Sequence, residues 1–100
     1  MTTIQHIRSV VPRGELLAQL AEEATELAHA ALKLRRAIEK VNPTPVTPVE
    51  ALDGLYEEIA DVELCLCALE LDTTEEQLKK ISDIMRRKAA RWVARVERRL

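Results

Sequence analysis

Apolar positions recur every three or four residues over most of this chain, and that period predicts helices. From Gly14 onward, Leu16, Leu20, Leu27, Leu34 and Ile38 fall on one stripe of a wheel turning about 100° per residue. A second stripe holds Ala51, Leu52, Leu55, Ile59, Val62, Leu66 and Leu69, and a third Leu78, Ile81, Ile84, Met85, Ala89, Trp92 and Val96. Ile4, Ile7, Val10 and Val11 predict a short amphipathic helix or packed arm ahead of Pro12-Arg13-Gly14. The first long helix is predicted from about Gly14 to Glu39 or Lys40. Prolines at 43, 45 and 48 make residues 42–48 an extended linker. Thr47-Pro48-Val49-Glu50 then reads as a helix start, with Thr as cap, Pro at the first position and Glu at the third. This second helix is predicted to reach about Leu71. After a turn and cap at Asp72–Glu76, with Glu three after Thr, the third runs from about Thr74 to Arg98.

The pattern therefore predicts a single all-α domain over residues 1–100: a helical bundle of three long helices plus a short N-terminal element. The second helix is apolar over more than one face, since Leu64, Leu66, Cys67 and Leu71 add further directions. Two companions in one small chain would struggle to cover it. A four-helix core completed by oligomerisation, as homodimer or homotetramer, is the expectation.

Polar residues break the pattern at two places. Glu23 and Glu26, in an EExxE run beginning at Glu22, are neighbours on one helix face, and Glu23 borders the apolar stripe close in angle to Leu16 and Leu34. Glu58 falls inside the arc of the second helix, and Asp61, three residues on, borders it. A carboxylate turned toward a core must be paired, protonated or bound to a metal. If the two faces meet, four carboxylates converge, which is tolerable only around cations. The ordinary reading of either run by itself is a solvated helix face, because Glu is a good helix former. The coincidence on successive helices argues for a site.

Composition narrows the chemistry. The chain has 100 residues, 47% hydrophobic and 32% charged, with no Phe and a net charge of −2. That balance gives no basic field for nucleic acid, and the cluster from Arg86 to Arg99 includes Glu97 and has Trp92 as its one aromatic. No apolar run approaches the roughly 18 residues of a membrane span. The start Met-Thr-Thr-Ile-Gln-His lacks the order of a signal peptide, so a cytoplasmic protein is expected. Cys65 and Cys67 point about 200° apart on a helix and cannot pair, which suits reduced thiols near a core. Carboxylate oxygens on rigid helices suit Mg²⁺, a hard ion that keeps waters and takes substrate phosphates as further ligands. His29 is angularly away from Glu23 and His6 lies outside the long helices, which disfavours zinc and di-iron. Lys33 shares Glu26's side of its helix, Lys88 borders the third stripe and Arg91 lies on the same flank. These cations are candidates for a phosphate clamp.

Leu20 to Lys33 followed by Glu57 to Glu63 resembles the MazG-like, all-α nucleoside triphosphate pyrophosphohydrolase superfamily, whose pattern is ExxE on one helix and ExxD on the next. The resemblance covers roughly Val11 to Arg98. It matches Glu23 and Glu26 to the first acid pair, Glu58 and Asp61 to the second, Glu22 to a frequent extra acid, and Lys88 with Arg91 to a Lys-x-x-Arg segment. The gap between Glu26 and Glu58 is longer than usual for the family. Phosphoribosyl-ATP pyrophosphohydrolase shares the motif. The resemblance implies Mg²⁺-dependent cleavage of an NTP or dNTP to monophosphate and pyrophosphate. Glu22, Glu23, Glu26, Glu58 and Asp61 would be metal ligands, Glu23 or Glu26 the group acting on water, and Lys33, Lys88 and Arg91 substrate contacts. The reading from another class is a non-enzymatic helical oligomerisation or interaction module, indifferent to Mg²⁺ and nucleotides.

Overall fold

A computed structural model describes residues 1–40 and 45–99. Four helices follow one another: α1 (Thr3–Val10), α2 (Arg13–Glu39), α3 (Pro48–Ala68) and α4 (Glu75–Arg98), with no strand among the described residues. The predicted N-terminal element is thus a helix. The linker prediction falls partly on residues 41–44, outside the described residues; Pro45 and Val46 lie in a bend before α3.

Local chemistry sets the helix ends. At α3 the predicted box forms: the Glu50 amide donates to Thr47 Oγ1 at 3.2 Å, and the Thr47 amide to Glu50 Oε1 at 3.3 Å. At α4 the cap is Thr74 and Gln77 closes the box, one residue beyond the Thr–Glu pair expected from sequence. The Gln77 side chain also donates to the Glu70 carbonyl at 2.6 Å, which holds the preceding turn against the helix start. α2 begins at Arg13 with Pro12 in the capping position, and ends at Lys40 in the left-handed region, φ 58. α3 stops at Ala68 rather than about Leu71, because Glu70 adopts φ 56 and turns the chain out of the helix.

The contacts divide the chain into two compact units, Met1–Leu69 and Glu70–Leu100. In the first, α2 and α3 form an antiparallel hairpin. The pairing runs in opposite directions: Leu16 near the start of α2 packs with Ala68 and Leu69 at the end of α3. Ile7, Val11 and Leu20 close around them, so α1 covers this end of the hairpin. Arg8 donates to the carbonyls of Ala68 at 3.0 Å and Cys67 at 3.2 Å, and Arg13 reaches the Leu69 carbonyl at 3.5 Å. These cations satisfy acceptors that the last turn of a helix leaves without intrahelical donors and offset its negative pole.

One expectation about the apolar stripes is corrected: Ile38 is 60% exposed, and the small Ala37 is buried in its place. Trp92, on the third stripe, is 66% exposed in the single chain. Leu78, Met85, Val93 and Val96 of α4 are exposed with it, as are Leu52, Tyr56, Ile59 and Leu64 of α3.

Candidate functional site: an acid cluster and groove between two helices

The antiparallel pairing brings the two acid pairs to the same level of the hairpin. Glu23 of α2 meets Glu58 and Asp61 of α3, and one carboxylate oxygen from each lies within 4.8 Å of the other two. Glu23 and Glu58 are half-buried, whereas Asp61 is exposed. Gln19, one turn before Glu23, donates from Nε2 to Glu23 Oε1 at 2.8 Å and fixes that carboxylate's direction. No ion pair is found for the three acids among the described residues, whereas Arg35–Glu39, Lys79–Asp83 and Arg86–Asp83 do pair.

This crowding is visible in proton affinity. Desolvation raises the Glu58 carboxyl above its ordinary value, and the charges of Asp61, Glu23, Glu26 and Glu57 push it further the same way. Cys65, one turn from Asp61, is buried and reduced. Burial pushes its thiol up, and the negative charges of Glu23 and Asp61 add to the effect. Cys65 is therefore held as a neutral thiol, a packing residue rather than a nucleophile.

Of the five acids singled out from the sequence, the structure gathers Glu23, Glu58 and Asp61. Glu26 is exposed and stands beside them, near enough for its charge to act on Glu58. Glu22 is exposed and outside the three-oxygen group. The gathered set fits Mg²⁺. An octahedral ion with bonds of about 2.1 Å places its ligand oxygens roughly 3 to 4 Å apart, which lies inside the 4.8 Å that bounds these three oxygens. Hard anionic oxygens without a competing cation are the donors such an ion prefers.

From this cluster a groove of about 300 Å³ runs along the hairpin toward the start of α3. Glu26 and Glu58 line one end. Its α2 wall continues through His29, Ala30, Lys33 and Arg36; its α3 wall through Glu57, Gly54, Ala51 and Glu50, with Val46 beyond. Lys33, named from sequence, is therefore on the groove. Lys88 and Arg91 belong to α4 in the second unit, where they line a surface hollow with Trp92, Arg95 and Arg98. His29, Arg36 and Gly54 were not singled out from sequence. Their signal was available in the helical register of the acids: Gly54 lies one turn before Glu58, and His29, Lys33 and Arg36 follow Glu26 at spacings of three or four.

Compared with protein-family models, with curated proteins and with solved structures, the chain matches none.

Proposed function

We propose that this protein is a Mg²⁺-dependent nucleoside triphosphate pyrophosphohydrolase of the MazG-like kind, converting an NTP or dNTP to the monophosphate and pyrophosphate. The observation that carries the reading is the meeting of Glu23, Glu58 and Asp61 across two helices with no cationic partner among the described residues. The ExxE and ExxD spacing that resembles the MazG-like superfamily supports it.

Glu23, Glu58 and Asp61 would hold Mg²⁺, which when bound neutralises the triphosphate and stabilises charge developing on the phosphoryl group. Glu26, next to this set and facing the groove, orients water and takes its proton. The water oxygen bonds to the α-phosphorus, the bond from that phosphorus to the bridging oxygen breaks, and pyrophosphate leaves. Lys33 meets phosphate oxygens from the α2 wall.

The test is a panel of NTPs and dNTPs with Mg²⁺, read for pyrophosphate. Glu58→Gln keeps the shape and removes the charge that attracts the cation, so release should fall to background while the helical signal persists. Glu63→Gln, exposed on the same helix, should keep activity. Full activity in Glu58→Gln would refute the assignment.

The exposed apolar face of α4 favours a second reading, a helical interaction module in which the acids are surface groups. That reading expects no pyrophosphate from any nucleotide and the same melting temperature with Mg²⁺ as with chelator.

A further inference from the structure

The groove beyond the acid cluster carries its basic side chains on the α2 wall. Glu26 and Glu58 stand at one end, Lys33 and Arg36 on the α2 wall toward the other. Arg36 lies ten residues after Glu26, about 15 Å along the helix axis. Neither Lys33 nor Arg36 is in an ion pair among the described residues; the neighbouring Arg35 is engaged with Glu39 instead. On the α3 wall, Glu50 is held in place by its hydrogen bonds to Thr47, and Glu57 is exposed. The α2 wall of the deeper groove therefore offers two cations with no ion-pair partner among the described residues, facing acids on the α3 wall.

The floor of the groove is made by missing side chains. Ala30 on α2 and Gly54 on α3 both line it. Gly54 sits inside a 21-residue helix, where glycine is a poor choice, and a Cβ built there would meet nothing within 4 Å. Packing does not explain the glycine. It leaves open a space that any larger residue would fill, which is a known use of glycine where a ligand approaches backbone.

We propose that this groove is the seat of the substrate's leaving diphosphate, with Arg36 and Lys33 as its charge partners, His29 as a further donor and Gly54 as its floor. The proposal rests on the hydrolase reading above and gives it a direction: the α-phosphorus lies at the acid cluster, and the β- and γ-phosphates extend toward Arg36. Alternation of acid and base along one groove matches a chain that carries metal at one end and bare phosphate oxygens at the other.

The experiment titrates inorganic pyrophosphate with Mg²⁺ into the wild-type protein, Arg36→Gln and Gly54→Leu, and measures KM and kcat for the best nucleotide of the panel in each. Helical content is checked by circular dichroism. Wild-type protein should bind pyrophosphate. Both variants should weaken that binding and raise KM about tenfold or more, and Gly54→Ala should raise the melting temperature while weakening pyrophosphate binding. Folded Arg36→Gln and Gly54→Leu with wild-type KM and pyrophosphate affinity would overturn the assignment and leave the hydrolase reading standing, as would wild-type protein that hydrolyses nucleotides but does not bind pyrophosphate. Pyrophosphate binding that depends on Arg36 in a protein that hydrolyses no nucleotide would sustain the groove assignment and remove the hydrolase reading.

Discussion

Glu58 carries a charge that the fold resists. Its carboxyl is raised above the ordinary value of 4.5, so the folded chain holds that proton more tightly than the unfolded chain. Ionising it costs stability, and the cost sets in as pH rises through 4.5 toward the raised value. Below that window the group is protonated in both states and the cost is absent. Metal-free wild-type protein should therefore lose stability relative to Glu58→Gln between acid and neutral pH, as read from urea denaturation in chelator. Millimolar Mg²⁺ should shrink that difference at neutral pH by binding the native wild-type chain preferentially. A difference that stays constant across pH would show that Glu58 feels no such crowding. At the end of α3, Leu69 is 2% exposed within a small cluster, and Leu69→Ala should cost about 2–5 kcal/mol in chemical denaturation.

At the scale of the helices, the hairpin owes its site to register. Arg8 shows how that register is fastened, because its guanidinium bonds the Cys67 and Ala68 carbonyls from a different helix. Arg8→Met keeps much of the stem and removes the donors; it should cost about 1–3 kcal/mol, measured by thermal or urea melts. How far this arrangement was legible in the sequence depends on the kind of signal. Thr47 and Glu50 were readable as a cap because their bond is local in sequence. The meeting of Glu23 with Glu58 and Asp61 was readable because Glu23 and Asp61 border apolar stripes and Glu58 falls inside one, and apolar stripes pack together. The groove was not, because Ala30 and Gly54 contribute by absent atoms, and periodicity counts only side chains that are there. Ile38 misled for a related reason: near the end of α2 the small Ala37 takes the buried position, and the larger residue beside it turns outward.

For the molecule as a whole, the unexplained surface is apolar. Met85, Trp92, Val93 and Val96 of α4 are all exposed, and Trp92 is the single tryptophan of the chain. An assembled bundle, as proposed for the dimer or tetramer, would cover such a stripe. Trp92 fluorescence should then shift to shorter wavelength as protein concentration rises, and light scattering should report more than one chain per particle. A stable monomer at micromolar concentration with an unshifted spectrum would contradict the assembly. Among the described residues no helix is long and apolar enough to cross a membrane.

The clasp of Arg8 and Arg13 on the end of α3 has a consequence at a distance. Asp61 lies seven residues, or about two turns, before Ala68. Fraying that starts at Ala68 would propagate toward the acid cluster without touching it directly. If the acid cluster holds Mg²⁺ as proposed, docking of α1 and retention of the ion would be two equilibria that share one stretch of helix, and any coupling between them would be reciprocal. In Arg8→Met, Mg²⁺ affinity should fall although every ligand is intact, and in wild-type protein Mg²⁺ should slow amide exchange in the last turn of α3. The first helix, which contributes no atom to the acid cluster, would then act as its effector.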